Sequence, residues 1–419
     1  MRSLGDVCTI KPQKSEARGR LKSDAMVSFI PMEDLGVDRK FAFGAKVRPL
    51  SAVEGSYTYF AEDDVLLAKI TPCFENGKLG IARNLTNGVG FGSSEFIVFR
   101  PGESVDEEWL YYFLSRESFR EEGAARMTGA VGHKRVAKDF IEKYQIPVPP
   151  LSEQQRIVTI LDKAFAGIAT AKANAEKNLQ NARGIFESQL QFVFTERGMR
   201  WDRLTLETLL ERGWIQSHLD GNHGSDYPRK DEFISGGVPY ISANCIDDDR
   251  VDMTRAKYLS PSRAALLRKG IAKDNDVLFA HNATVGPVAI LHTDEPKVIL
   301  GTSLTYYRCN LEHILPEYLA HYMRSFGFKS QYSQVMKQST RNQVPITKQR
   351  EFFHVIPPLE EQKNIVGALD GLWENGRRLE RIYERKLAAL DALKKSLLHR
   401  AFAGELTASK TTKLVEAVA

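Results

Sequence analysis

Pro149-Pro150-Leu151-Ser152-Glu153-Gln154-Gln155-Arg156-Ile157-Val158 occurs a second time, 208 residues later, as Pro357-Pro358-Leu359-Glu360-Glu361-Gln362-Lys363-Asn364-Ile365-Val366. The same shift relates Phe194 to Phe402, so no insertion separates the two copies over this stretch. Such a repeat is too long for a solenoid unit and fits a duplicated domain with its connector. The sequence therefore predicts a pseudo-two-fold protein that contacts something in two places.

Each diproline is followed by apolar and small residues at intervals of three and four, the pattern of a helix with a heptad seam. The first seam is rich in alanine: Leu161, Ala164, Ile168, Ala171, Ala175, Ala182, Ile185 and Phe192. The second is rich in larger residues: Leu372, Leu379, Tyr383, Leu390, Leu393 and Leu397. Small residues facing large ones predict two long antiparallel helices that form an intramolecular coiled coil. The alternative is that each is simply a long core helix.

The start and length of these helices also follow from the sequence. Ser152 with Gln155 fits a capping box directly after the first diproline, and Glu360 replaces that serine in the second copy. Roughly 45 residues at 1.5 Å each give a rod of about 65–70 Å.

The segments before the two helices resemble each other only weakly. Asp64-Val65-Leu66-Leu67-Ala68-Lys69 has a counterpart in Asp276-Val277-Leu278-Phe279-Ala280-His281. Strand-like alternation and short amphipathic helices in both segments predict the α+β class, with one fold and diverged surfaces. The predicted order is a globular domain at 1–148, a helix at 149–198, a second globular domain at 199–356, a second helix at 357–406 and a disordered tail at 407–419.

Polar loops precede both diprolines, and their side chains are suited to reading DNA. Arginine and lysine pair with guanine, while asparagine and glutamine pair with adenine. The candidates in these loops are His133, Lys134, Arg135, Arg341, Asn342 and Gln343. A second, weaker pair of loops contributes Lys69, Thr71, Lys78, His281, Asn282 and Thr284. Nearby basic residues could hold phosphates: Arg126, Lys138, Lys337, Lys348 and Arg350. For any single residue the alternative is an ordinary solvent-exposed turn.

Composition excludes several other classes. The 419 residues carry a net charge of +5, and residues 1–148 hold 21 Lys+Arg against 21 Asp+Glu. Such balance is not that of a tight stand-alone nucleic-acid binder, so a partner is expected to supply further phosphate contacts. The absence of a long apolar run and of a signal-peptide pattern predicts a cytoplasmic protein without membrane association. Four scattered cysteines, and no P-loop or metal-binding motif, predict no cofactor, no metal and no catalytic residues.

Two diverged α+β domains alternating with helices that begin Pro-Pro-Leu-x-Glu-Gln resemble the specificity (S) subunit of type I restriction–modification enzymes. The resemblance covers about residues 1–406. It implies that each domain reads one half of a split, asymmetric site in double-stranded DNA, with the paired helices fixing the spacer. It also implies that the helices dock two methyltransferase (M) subunits, which carry S-adenosylmethionine. Restriction (R) subunits would supply ATP-dependent cleavage, so the chain itself is expected to be non-catalytic.

Two other functional classes remain open on the sequence alone. A coiled-coil adaptor would use the same helices but bind protein with its globular domains. Salt-dependent DNA binding in the presence of the methyltransferase separates it from a DNA reader. An enzyme with an unrecognised nuclease or methyltransferase site would show activity as an isolated chain, and we expect none.

Overall fold

The computed structural model describes residues 1–44, 46–197, 200–247, 249–338 and 342–406. The chain divides into two compact units: Met1–Glu176 with Arg385–Ala419, and Lys177–Glu384. The tail predicted at 407–419 lies outside the described residues.

Before the first long helix, the described residues of the first unit form eleven short strands and six short α-helices. The strands are β1 Arg2–Ser3, β2 Cys8–Ile10, β3 Met26–Ile30, β4 Phe41–Phe43, β5 Lys46–Pro49, β6 Thr58–Ala61, β7 Val65–Ala68, β8 Leu79–Arg83, β9 Val89–Gly92, β10 Phe96–Pro101 and β11 Gln145–Ile146. The helices are α1 Leu4–Val7, α2 Ser15–Arg20, α3 Leu50–Val53, α4 Glu107–Leu114, α5 Glu117–Ala125 and α6 Lys138–Lys143. The first long helix, α7, spans Leu151–Phe192.

The second unit repeats this plan with additional edge strands. Its strands are β12 Asp202–Thr205, β13 Ile215–Asp220, β14 Phe233–Ile234, β15 Val238–Ile241, β16 Ile246–Asp247, β17 Arg250–Val251, β18 Lys257–Leu259, β19 Ile271–Ala272, β20 Val277–Ala280, β21 Val288–Ile290, β22 Val298–Leu300, β23 Leu304–Cys309 and β24 Phe353–Ile356. Its helices are α8 Leu206–Glu211, α9 Pro261–Ala265, α10 Pro316–Arg324, α11 Phe326–Lys337 and α12 Ile346–Gln349. The second long helix, α13, spans Leu359–Phe402.

Sheet topology is the same in both units. The larger sheet has the order β2-β10-β7-β8-β4 in the first unit, and β13-β23-β20-β21-β17 with β16 added at the edge in the second. The other sheet is β5-β3-β9-β6 in the first unit and β18-β15-β22-β19, extended by β14, in the second. Parallel pairs also recur, because β3–β9 and β4–β8 correspond to β15–β22 and β17–β21. The α+β class and the internal repeat are thereby confirmed.

A buried ion pair is repeated in the larger sheet of each unit. Arg100 donates to both carboxylate oxygens of Asp64 at 2.8 Å, and Arg308 donates to those of Asp276 at 2.9 and 2.7 Å. Both aspartate side chains are only 1% exposed. Burial raises the pKa of each carboxyl, and the arginine opposes that shift. The pair joins two central strands at the same register in both copies, so it belongs to the shared frame.

The two long helices run antiparallel in both units. In the first, Lys172 of α7 contacts Asp391 of α13 at 2.7 Å. In the second, Arg183 of α7 lies 3.5 Å from Glu380 and 3.4 Å from Glu384. Residue numbers rise along one helix as they fall along the other, as the predicted antiparallel coiled coil requires. With 42 and 44 residues, each helix is roughly 63–66 Å long.

The capping box predicted at Ser152 is wrong. The side-chain hydrogen bonds at the start of the helix are made instead by a glutamine of the repeated motif. Helix α7 already begins at Leu151, so Ser152 lies inside the first turn. Buried Gln154 donates from Nε2 to the carbonyls of Pro149 and Ser104 at 2.7 and 2.9 Å, and its Oε1 accepts from the Asp106 amide at 3.0 Å.

Gln362 makes the same three hydrogen bonds in the second copy. Its Nε2 donates to Pro357 and His313 carbonyls at 2.9 and 2.8 Å, and its Oε1 accepts from the Leu315 amide at 2.9 Å. The repeated motif therefore ties each helix start to the loop before the amphipathic helix of its own globular domain.

Two predicted seam positions of α7 are also wrong. Ile185 and Phe192 are 53% and 45% exposed, whereas Phe186 and Leu190 are buried. An undistorted helix drifts relative to a strict seven-residue repeat, so the buried stripe moves by one position beyond Ala182. At Ala182 the two helices are in van der Waals contact through two small residues, because a Cβ on Gly376 of α13 would lie 3.6 Å from the Ala182 carbonyl.

The division of the chain into five segments, with domain boundaries at 148, 198, 356 and 406, stays a prediction. The helices lie inside the predicted segments 149–198 and 357–406, since they span Leu151–Phe192 and Leu359–Phe402. The compact units, however, each include part of both long helices.

Candidate nucleic-acid interface

The two predicted loops of the first globular domain lie side by side. They follow β7 and precede α6, and we call residues 69–71 with 133–135 loop pair 1. The Val136 amide donates to the Lys69 carbonyl at 3.0 Å, and the Thr71 amide donates to the Lys134 carbonyl at 2.9 Å. Lys69 also donates its amide to the Glu95 carbonyl at 2.9 Å, which anchors the pair to the start of β10.

The second globular domain contains the same arrangement, which we call loop pair 2, residues 281–284 with 342–343. Val344 donates its amide to the His281 carbonyl at 2.8 Å, and Ala283 donates to the Asn342 carbonyl at 3.0 Å. His281 donates its amide to the Ser303 carbonyl at 3.0 Å, as Lys69 does to Glu95. A β-bridge joins Asn282 to Gln343, as another joins Ile70 to Arg135.

Equivalent backbone positions in the loop pairs carry different side chains. His281 stands where loop pair 1 has Lys69, and Ala283 where it has Thr71. Asn342 replaces Lys134, and Gln343 replaces Arg135. The predicted residue Arg341 lies outside the described residues. A fixed backbone with exchanged side chains suits two surfaces that read different ligands of one kind.

The side chains of loop pair 1 are partly held by neighbours. Arg135 donates to both oxygens of Glu95 at 2.9 and 2.8 Å while its side chain stays 47% exposed. Lys69 donates to the Ser94 carbonyl at 2.9 Å, and partial burial lowers the pKa of its ammonium group. His133 and Lys134 are exposed. Hydrogen bonds from Arg135 lower the pKa of Glu95, which therefore stays ionised beside the loop.

Two residues predicted alongside them are held differently. The Thr71 hydroxyl donates to Glu75 at 2.8 Å. The Lys78 ammonium donates to the Met32 carbonyl at 2.7 Å, away from loop pair 1. The structure thus brings Lys69, Thr71, His133, Lys134 and Arg135 together and leaves Lys78 apart.

Loop pair 2 exposes amides and a hydroxyl in place of the cations. Asn342 and Thr284 are exposed, while Asn282 and Gln343 are half-buried. Asn342 Nδ2 also donates to the Ala283 carbonyl at 2.5 Å, which orients the amide group. His281 differs from the others, because its ring is fully buried and its Nδ1 lies 3.0 Å from the Val344 carbonyl. Burial lowers the pKa of that ring.

Basic residues beside both loop pairs have exposed side chains that pair with carboxylates of their own helix or turn. In the first domain Lys138 is 80% exposed and pairs with Glu142 at 3.2 Å, as neighbours on a helix do. In the second, Lys348 is 52% exposed and pairs with Glu351 at 2.9 Å. Exposed pairs of this kind are weak, so a phosphate can replace the carboxylate at little cost.

Within the described ranges the structure offers no metal centre and no membrane helix. No group of three or more His, Cys, Asp or Glu is placed to hold a metal ion there. None of the described helices is both long and apolar enough to cross a bilayer. All four cysteines are free thiols, and three of them are buried.

Comparisons with known proteins point to one family. A family model described as the type I restriction modification DNA specificity domain matches residues 1–180 and 222–384. The EcoAI specificity subunit of Escherichia coli is 34% identical over 197 residues, which are 46% of this chain and 32% of that protein. The EcoEI subunit is 37% identical over 162 residues, or 38% of this chain and 27% of that one. The matched part of the chain therefore spans about a third of these relatives.

More distant relatives match over a larger share of their length. The EcoKI specificity subunit of Escherichia coli strain K12 is 24% identical over 329 residues, 74% of this chain and 68% of that protein. The HsdS subunit of Thermoanaerobacter tengcongensis aligns at a TM-score of 0.61 and 20% identity, covering 96% of each chain. A chain from a type I R-M system aligns at 0.75 and 19% identity, covering 96% of this chain and 97% of that one.

The family model covers well over half of the residues, in two segments that follow the internal repeat. The chain belongs to the type I restriction modification DNA specificity domain family. The solved structures, at their low identity, add that the α+β fold with its long helices extends over nearly the whole chain.

Proposed function

We propose that this chain is the sequence-specific DNA-recognition subunit of a type I restriction–modification complex. Loop pair 1 reads one half of a bipartite, asymmetric site in double-stranded DNA, and loop pair 2 reads the other half. The observation that carries this proposal is the identical backbone pairing of the two loop pairs combined with the exchange of their side chains. Conserved geometry with altered hydrogen-bonding groups is what two readers of different base sequences need.

The side chains suggest how the two halves differ. Arg135 and Lys134 are suited to the O6 and N7 acceptors of guanine, and Asn342 and Gln343 are suited to the N6 and N7 groups of adenine. Lys69, Thr71, His133, Asn282 and Thr284 lie in the same loops and supply further contacts to bases or to the backbone. Arg341 and Lys78 complete the set proposed from the sequence. The ammonium group of Lys78 donates a hydrogen bond to the Met32 carbonyl.

The partners follow from what the chain lacks and from its family. Two methyltransferase (M) subunits dock on the paired long helices and bring S-adenosylmethionine, and restriction (R) subunits bring ATP-dependent cleavage. The chain itself takes no cofactor and performs no chemistry, and it acts in the cytoplasm, where the DNA is. Its nearly balanced charge supports this division, because tight DNA binding then requires phosphate contacts from the partners.

Single-molecule sequencing of adenine methylation tests the proposal directly. A host expressing the full chain with its methyltransferase is compared with a host lacking only this chain. We expect a split, asymmetric motif that depends on the chain. Arg135→Ala should relax one half of that motif and Asn342→Ala the other, each leaving the opposite half unchanged.

Failure has a clear form in this experiment. Absence of a chain-dependent motif, with the chain expressed and the methyltransferase active with another specificity subunit, would sink the proposal. That result favours the second candidate, a coiled-coil adaptor whose globular domains bind protein. Alteration of both halves by either single variant would reject the assignment of one loop pair to each half-site.

A further inference from the structure

The carbonyl of Val344, directly after loop pair 2, is held by two buried side chains. His281 Nδ1 lies 3.0 Å from this oxygen, and Gln349 Nε2 donates to it at 3.2 Å. Both side chains are fully buried, and the amide of Val344 donates back to the His281 carbonyl at 2.8 Å. Val344 is thus fixed through its amide and its carbonyl, one residue from the predicted base-reading side chain of Gln343.

The orientation of the Gln349 amide is set by three donors on its other side. Its Oε1 accepts from Thr305 Oγ1 and Tyr307 Oη at 3.0 Å each, and lies 3.1 Å from His218 Nε2. An amide oxygen only accepts, so His218 must donate from Nε2. With its oxygen occupied in this way, Gln349 must turn its NH2 group toward Val344.

The first globular domain has no such network at the equivalent positions. Ile10 and Phe99 are opposite each other on β2 and β10, where His218 and Tyr307 face each other on β13 and β23. Ile97 takes the place of Thr305, and Ile141 of α6 takes the place of Gln349 four residues after the helix cap. All four belong to or pack against the hydrophobic core of that unit. Loop pair 1 is supported by apolar packing and loop pair 2 by directed hydrogen bonds.

We propose that Gln349 is a positioning residue for recognition of the second half-site, because with His281 it fixes the Val344 carbonyl and so the placement of Asn342 and Gln343. Base discrimination needs reading groups held to within about 0.5 Å, which two hydrogen bonds to one backbone oxygen can provide. This inference rests on the proposed function for its link to DNA, but the positioning itself is measurable without DNA.

A matched pair of variants isolates the effect. Gln349→Met keeps the length of the side chain and removes its four hydrogen bonds. Ile141→Met places the same side chain at the equivalent apolar position, where no hydrogen bond is lost. In the full chain, hydrogen exchange of the Val344 amide should accelerate about tenfold or more in Gln349→Met. The Val136 amide, its counterpart in loop pair 1, should be unaffected there, and Ile141→Met should leave Val344 unchanged.

Gln349→Glu adds a readout that a merely structural role would not give. An ionised carboxylate would face the Val344 carbonyl without a hydrogen, whereas a protonated one can donate to it as the amide does. Burial favours the protonated form, so protection of the Val344 amide should be regained as the pH falls from 8 to 6. The wild type, measured at the same pH values, should change little at this amide.

Binding to DNA completes the test in the chain–methyltransferase complex. With duplexes carrying the wild-type motif or a substitution in one half, Gln349→Met should lose about tenfold in discrimination at the second half-site and none at the first. Unchanged Val344 exchange in both Gln349 variants would overturn the positioning role, whatever the DNA result. Faster exchange with unaltered discrimination would overturn its link to recognition. Faster exchange in a chain whose wild type directs no motif would refute the proposed function and leave the positioning established.

Discussion

The two globular domains share one frame but support their loop pairs by different means. The first packs Ile10, Phe99 and Ile141 beneath loop pair 1, and the second places His218, Tyr307 and Gln349 at the same positions. Apolar packing is non-directional, whereas a hydrogen-bond network fixes the orientation of its donors and acceptors. The comparison teaches that a duplicated domain can keep its backbone while the interior below its loop pair changes chemistry.

The largest difference between the domains should appear in acid. Burial lowers the pKa of His218 to about 3 and that of His354 to about 4, against about 6.5 in an unfolded chain. Their contribution to stability is present above pH 6.5 and is lost as the pH falls toward 4 and then 3. From pH 7 to pH 5, each should cost the second unit about 2 kcal/mol, or about 4 kcal/mol together.

Urea unfolding followed by pulsed hydrogen exchange, resolved to peptides of each unit, measures this loss. The first unit is the internal reference, since its described histidines, His133 and His399, are exposed. His354→Ile supplies the side chain of its counterpart Ile146 and should halve the acid sensitivity. Equal destabilisation of both units would show that the buried histidines are not its cause.

The shared frame should respond equally in the two domains. Asp64→Ala and Asp276→Ala each remove a buried carboxylate from its arginine, which should cost about 3 kcal/mol in the affected unit. The same unfolding measurement should give losses of similar size in the two units, because the geometry and burial of the two pairs are alike. A loss confined to one domain would mean that the two ion pairs, though alike in geometry, contribute differently to the free energy of unfolding.

A smaller effect is expected where the helices begin. Gln154→Leu and Gln362→Leu each leave two carbonyls and one amide without a side-chain partner, which should cost about 2 kcal/mol. Hydrogen exchange at the first turns of α7 and α13 reports the change locally, and Ser152→Ala is the control that should alter neither turn. Sensitivity to Ser152→Ala instead would restore the capping box as the determinant of the helix start.

The repeat made much of the fold predictable. A constant shift of 208 residues located both long helices, and the same shift identified the two polar loops before them as equivalent. Helix details were less accessible, because the buried stripe of α7 drifts past Ile185 and because the glutamine of the motif contacts loops about fifty residues away. Such contacts depend on the packing of separate elements, which local spacing does not encode.

The candidate site was predictable in part for the same reason. The hydrogen bonds that join Lys69 to Val136 and His281 to Val344 bring together loops that lie more than sixty residues apart in the sequence and carry no sign there of being neighbours. Glu95 and Gln349 were missed, because both lie in short polar stretches, Ser93–Glu95 and Thr347–Glu351, in which nothing marks one residue as a partner of the loops. The burial of Gln349 between charged neighbours carries no pattern in the sequence. The burial of His281 could not be predicted from the sequence either, because histidine is common both in cores and on surfaces.

The first and last strands of each globular domain are hydrogen-bonded neighbours. Arg2 pairs with Ile146 on β1 and β11, and Asp202 pairs with Ile356 on β12 and β24. The chain therefore enters and leaves each domain at the same place, and it leaves directly before a diproline. Under the proposed function, recombination between two genes at these junctions would transplant a whole reading module without disturbing the helices. A population that carries such genes could then acquire a new half-site in a single genetic event, with the other half inherited intact.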